Sequence, residues 1–188
     1  MPRVMTTGLA ATALIFSLSV QSAQADGGFS LSSSAFADNA LMPSRYAAMG
    51  GPRACDGEGI SPPLAWSHAP EATTSFAIIV HDNTGAHGLG VTHWVGYGIP
   101  ADVTGFDEGA LNSVEGASFV PGTNRINQPT WFGPCPDVGD VAHHYEITII
   151  ATDLAPDALE AGMTRDALLA ALAGRTLGAT GLIGRYAR

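Results

Sequence analysis

The stretch Tyr145-Glu146-Ile147-Thr148-Ile149-Ile150-Ala151-Thr152 decides the fold class. β-branched and apolar residues dominate it, which makes it the clearest strand in the chain. Working outward, residues 75–81 (Ser-Phe-Ala-Ile-Ile-Val-His) are apolar and β-branched and read as a buried strand. Residues 92–99 form another, closed by Pro100. Residues 29–36 alternate weakly and are Ser-rich, as expected of a first edge strand. Pro-Pro, Gly-Pro and Asp-Gly steps punctuate the chain between these runs. Residues 105–128 show little periodicity and are expected to be a long loop region.

Helix signals are confined to the C-terminal part. Thr164 suits an N-cap, Asp166 the first turn and Gly174 the C′ position. Leu168, Leu169 and Leu172 between them predict one apolar face. A shorter helical turn is expected over residues 156–161, while residues 176–188 are broken by glycines and fit no single element. The pattern is a mostly antiparallel β domain with one or two helices packed late. It contains no internal repeat and no linker.

The N-terminus has Arg3, an apolar run over residues 8–20 and Ala23-Gln24-Ala25. A basic start, a short apolar core and an A-x-A step predict a cleaved secretory signal over residues 1–25. The apolar run is too short for a stable membrane span. Residues 26–188, 163 of the 188, then form a single domain. The expected location is the periplasm or the exterior.

The chain has no lysine, and beyond residue 25 seven arginines face 17 carboxylates, a formal charge of −10. Such a surface repels nucleic acid and anionic headgroups at long range. A bound anion therefore needs a local pocket of donors. The two cysteines, Cys55 and Cys135, lie in Gly/Pro-rich loops, and in an exported chain such a pair predicts a disulfide.

Polar residues capable of chemistry sit at strand edges. Asp82 ends one strand and His93 lies near the start of the next. His143 precedes the strand at 145–152, and residues i and i+2 of a strand share a face, so His143 and Tyr145 can point into one pocket. Asp82 can orient an imidazole through one ring nitrogen and leave the other free. Two imidazoles, a phenol and loop amides make a cage for phosphate or carboxylate. The same histidines and aspartate could hold zinc or non-haem iron, but no tight H-x-x-x-H spacing occurs. No G-x-S-x-G elbow is present, and Ser61 has no nearby base in sequence. His68, His81 and His87 read as ordinary strand-end or loop histidines. No cofactor is implied.

The run Cys55-Asp56-Gly57-Glu58-Gly59-Ile60-Ser61-Pro62-Pro63-Leu64-Ala65-Trp66 resembles the early signature of the phosphatidylethanolamine-binding protein family, in its bacterial Raf kinase inhibitor-like branch. So do His93-Trp94, the segment from Ile99 to Thr104, Gly133-Pro134-Cys135-Pro136 with His143-His144-Tyr145, and Gly184-Arg185-Tyr186. The motifs occur in order across nearly the whole chain. The resemblance implies a large central sheet, a smaller second sheet and peripheral helices. It also implies a small pocket that takes phosphate or the phosphate of a phosphoethanolamine headgroup. By position, Asp82, His93, His143 and Tyr145 match its pocket residues, and Gly133 and Pro136 match its lining loop.

The chain departs from the family pattern at Asn83-Thr84-Gly85-Ala86, where a second aspartate and two prolines are lost. Fewer prolines leave a less restricted loop. Val91 and Thr92 replace aromatics, His144 stands where many relatives have arginine, and Asp137 replaces a proline. The expectation is a non-catalytic, exported binding protein with a small-anion pocket. An inhibitor or interaction module acting on a kinase, protease or host protein is the second reading, and a His/Asp metal-dependent enzyme the third. Stable membrane insertion is not expected, because no basic amphipathic helix is present.

Overall fold

The computed structural model describes Met1 and residues 27–188, so the export signal expected over residues 1–25 falls outside the described residues apart from Met1. In chain order the early strands are β1 (Ser30–Ser32), β2 (Ala40–Leu41), β3 (Met49–Gly50), β4 (Cys55–Asp56) and β5 (Leu64–Ser67). Then come β6 (Ser75–Asp82), the short helical turn α1 (Gly85–Gly88), β7 (Val91–Pro100), β8 (Gly105–Phe106) and β9 (Val120–Pro121). The chain closes with β10 (His143–Thr152), α2 (Arg165–Leu172) and β11 (Thr176–Tyr186).

These strands form a six-stranded sheet in the order β2-β11-β10-β6-β7-β9, a three-stranded sheet β1-β5-β8, and the hairpin β3-β4. All pairings are antiparallel except β2 with β11. The mostly β class is as the sequence pattern predicts, and the large sheet with a smaller second one is as the resemblance implies.

The large sheet is covered on both faces, which explains why β6 is apolar at consecutive positions instead of alternating. Phe76, Ile78 and Val80 of β6 join Trp94, Ile147 and Ile149 in a core shared with Trp66 and Phe106 of the small sheet. Ala77 and Ile79 face the other way, against Leu168 and Leu172 of α2. Side chains of this kind contribute about 1.5–3 kcal/mol each when fully buried.

Helix α2 begins where expected. The Thr164 hydroxyl accepts a hydrogen bond from the Ala167 N–H at 3.3 Å, and Gly174 follows with φ +77°. Leu169 does not join Leu168 and Leu172 on the buried face; it is solvent-exposed. The helical turn expected over residues 156–161 is irregular turn structure. The region 105–128 is less loop-like than expected, since it holds β8, β9 and a 3-10 turn at Ala110–Asn112.

The largest difference from the sequence reading is β11. It is the longest strand, yet its glycines hid it. Gly184 shows why one is needed: a Cβ there would collide with Met42 and Phe36, which fill the core beside it.

A disulfide joins Cys55 to Cys135, tying β4 to the loop that precedes β10. Closing a loop of 80 residues stabilises the fold by about 4 kcal/mol in the chain-entropy model. Ser61 is fully buried and structural. Its hydroxyl accepts from the Leu111 N–H at 3.1 Å, and its own N–H donates to the Asn112 side chain at 2.8 Å.

Candidate functional site

Strand pairing assembles the site. Tyr145 of β10 lies directly opposite Asp82, the last residue of β6. His143, two residues before Tyr145, shares its face and reaches past the end of β6. Its Nδ1 donates to Asp82 Oδ2 at 2.7 Å.

Asp82 is 2% exposed and fully engaged. Its Oδ1 accepts from both the Thr84 N–H at 2.9 Å and the Thr84 hydroxyl at 2.7 Å. Burial alone would raise the Asp82 pKa. The Thr84 hydroxyl, His143 and the Thr84 N–H outweigh it and hold the carboxyl below its usual range. The ionised carboxylate fixes His143 with Nδ1 as donor and Nε2 turned outward.

His93 arrives by a backbone irregularity. His81 pairs with Thr92 and Val80 with Trp94, so His93 is an extra residue on β7 with no partner on β6. Such a bulge re-aims side chains. Here it brings His93 to the Asp82–Tyr145 side of the sheet next to Trp94, while Thr92 faces the opposite side with His81. The His93 ring stacks on Phe132, with centroids 5.2 Å apart, and meets the Tyr145 ring edge-on at 5.0 Å.

His93 Nδ1 donates to the Phe132 carbonyl at 2.5 Å. Its Nε2 is buried and has no hydrogen-bond partner among the described residues. Burial pushes the His93 pKa down to about 4, against the smaller opposing effects of the Phe132 carbonyl and Asp82. The neutral ring therefore presents an unmatched acceptor. Burial also raises the Tyr145 pKa, with Asp82 adding to it, so the phenol keeps its proton.

The loop expected to line the pocket is anchored by packing and backbone hydrogen bonds. Gly133 packs against the backbone of residues 46–48, where any Cβ would collide, and the Pro134 carbonyl accepts from the Ala48 N–H at 2.9 Å. Pro136 is buried, and its carbonyl accepts from Arg188 Nε at 2.9 Å. Asp137 faces Arg53 at 3.4 Å, which partly neutralises it. His68, His87 and His144 are exposed, and His81 lies on the other face of the sheet, bonded to the Thr92 hydroxyl at 3.1 Å.

Three participants were missed in the sequence: Thr84, Phe132 and Asp140. Thr84 was detectable, because Asp-x-Thr after a strand is the pattern of an Asx turn. Asp140 carries no such signal, yet its Oδ2 sits 3.5 Å from His143 Nε2. The departure at residues 83–86 forms a tight turn with Ala86 at φ +52° and His87 at φ +57°. Among the described residues no group of three or more His, Cys, Asp or Glu side chains is placed to hold a metal. No described helix is long and apolar enough to cross a membrane.

Residues 32–187 match the family model described as phosphatidylethanolamine-binding protein. A UPF0098 protein of Methanothermobacter thermautotrophicus is 38% identical over 163 residues, covering 84% of this chain and 98% of the relative. A lipoprotein candidate of Mycobacterium tuberculosis, LppC, is 32% identical over 135 residues, covering 68% of this chain and 59% of LppC. Among solved structures, Escherichia coli YbcL, described as a new member of the mammalian PEBP family, superposes with a TM-score of 0.78 at 25% identity. That match covers 86% of this chain and 99% of YbcL.

Proposed function

This chain belongs to the phosphatidylethanolamine-binding protein family, and from that premise we propose that it is an exported, non-catalytic binding protein with a pocket for a small phosphate-type anion. The pocket is lined by Asp82, His93, His143 and Tyr145. One observation carries the reading: a buried imidazole, His93, holds an Nε2 that is unpartnered among the described residues, beside a phenol and beside the Asp82–His143 pair. A buried polar atom left unmatched costs stability, so its retention points to a ligand that completes it. A phosphate-type ligand can do so, either by donating its own O–H or by drawing a proton onto the ring. The disulfide and the lipoprotein-candidate relative support export, because disulfides persist outside the reducing cytoplasm.

The pH dependence has a definite sign. His93 is neutral in the free protein above about pH 4. A bound anion favours the imidazolium, so binding takes up a proton and tightens as pH falls through the histidine range. Calorimetry with inorganic phosphate and phosphoethanolamine from about pH 5.5 to about 8 tests this. Sulfate serves as a control that does not itself titrate there. No saturable binding at millimolar ligand, or unchanged affinity in His143→Ala, would sink the proposal.

A protein-docking role is the second reading. It is favoured by Val138 and Val141, which are 77% and 85% exposed and flank Asp140 on the loop beside His143. Partner capture that is lost in Val138→Ser/Val141→Ser but kept in His143→Ala would favour this reading over the first.

A further inference from the structure

The alternation that turns Asp82 and His93 to one face of the sheet turns their chain neighbours His81 and Thr92 to the other. There they floor a separate cleft of about 320 Å³, walled by Leu89, Arg125, Arg165 and Asp166. This volume lies at the lower end of the range of small-molecule sites, about 300–1,000 Å³. We propose that this cleft is a second binding site, for a small organic molecule with a doubly charged oxyanion head, a phosphomonoester. Arg125 and Arg165 grip the head, and Leu89 covers the organic part.

The arginines stand on segments latched to each other. The Thr123 N–H donates to the Met163 carbonyl at 2.9 Å, the Thr123 hydroxyl to the Gly162 carbonyl at 3.3 Å, and the Gly162 N–H to the Pro121 carbonyl at 2.8 Å. The Arg125 N–H is itself bonded to the Thr92 carbonyl at 2.9 Å. Buried Asn124 shapes the turn around it. Its Oδ1 accepts from the Ile126 and Gln128 N–H groups, both at 3.0 Å, and its Nδ2 donates to the Thr130 carbonyl at 2.9 Å. The two cations are thus held by ordered backbone.

Charge is the second argument. In a chain with a formal charge of −9, Arg45, Arg53 and Arg175 face carboxylates, whereas no carboxylate lies within ion-pair distance of Arg125 among the described residues. Arg165 reaches Asp166 at 3.0 Å, but the Asp166 side chain is 88% exposed, and such surface pairs are readily replaced. Glu146, opposite His81 on β10, is drawn toward Asn83 by a 3.3 Å hydrogen bond. Planar guanidinium forks match the paired oxygens of phosphate or carboxylate. Leu89, 90% exposed at the cleft wall, supplies an apolar contact.

The test uses phenyl phosphate and inorganic phosphate, titrated into the His143→Ala protein at constant ionic strength. Binding is followed by amide and arginine Nε–H NMR shifts. Saturable binding of phenyl phosphate should persist in His143→Ala and move the signals of Thr92, Arg125 and Arg165. It should weaken at least about tenfold in added Arg125→Ala or Arg165→Ala and recover in part in Arg125→Lys, which restores charge without the fork. Leu89→Ser should erase the preference for phenyl phosphate over inorganic phosphate. The same arginine changes in the otherwise native chain, with melting temperature as a fold control, separate this site from the first. Absence of saturation, or affinity indifferent to both arginine changes, overturns the proposal while leaving the His93–His143 pocket standing.

Discussion

His143 Nδ1 and Asp82 Oδ2 lie 2.7 Å apart with side chains 12% and 3% exposed, so the imidazole is held by a carboxylate that has almost no contact with water. Removing one member leaves the other buried without its partner, which costs about 1–3 kcal/mol and more when the group left is the carboxylate. The Thr84 bonds to Asp82 Oδ1 survive in an amide, so Asp82→Asn should lose about 1–2 kcal/mol by urea unfolding. The amide cannot hold His143 with Nδ1 as donor. Phosphate affinity should therefore fall by about tenfold or more. Full-strength binding in Asp82→Asn would show that this pair does not orient the site.

Buried His93 makes the protein acid-sensitive in a defined window. Its folded pKa is about 4, below its ordinary value of about 6.5, so the unfolded chain binds the extra proton first. The stability is complete above about pH 6.5 and is lost progressively toward pH 4, by about 3 kcal/mol in all. The depressed Asp82 pKa adds a further loss only below about pH 4, as its carboxylate protonates. Denaturant titrations across pH should show the first slope in the native chain. His93→Leu should flatten it, whatever the variant's absolute stability.

On the proposed reading, and where His143 carries protons on both ring nitrogens, Asp140 competes with an incoming anion at Nε2, its carboxylate lying 3.5 Å away. It sits on an exposed loop and is itself half-exposed, so the contact is weak and screened. Asp140→Asn should raise sulfate affinity by about three- to fivefold, equivalent to a surface-pair energy of up to about 1 kcal/mol. The gain should shrink in high salt. Unchanged affinity would mean that the anion does not approach His143 Nε2.

The sequence showed the frame of this site better than its detail. The paired strands β6 and β10 were readable because their apolar runs are long, and the i, i+2 relation of His143 and Tyr145 follows from strand geometry. The bulge at His93 was not readable: it depends on the register of β7 against β6, which no local pattern records. Strand β11 was hidden for a different reason, since Gly184 is selected by the bulk of Met42 and Phe36 across the core. Leu169 misled because its polarity suits a core while its angular position on α2 faces water.

The contributions of the Cys55–Cys135 bridge and of the loop at residues 133–137 can be separated experimentally. Replacing both cysteines by serine should cost about 4 kcal/mol, because the constraint acts mainly on the unfolded chain. The loop has other anchors in the folded state. Arg53 Nη1 donates to the Cys135 carbonyl at 3.2 Å, and Arg188 Nε donates to the Pro136 carbonyl at 2.9 Å. Arg188 Nη1 also donates to the Arg53 carbonyl at 3.0 Å, which joins the two arginines. Phosphate affinity in the double variant should therefore stay within about threefold of the native value, less than 1 kcal/mol. A large affinity loss with little change in stability would reverse this assignment and make the disulfide a device that shapes the pocket.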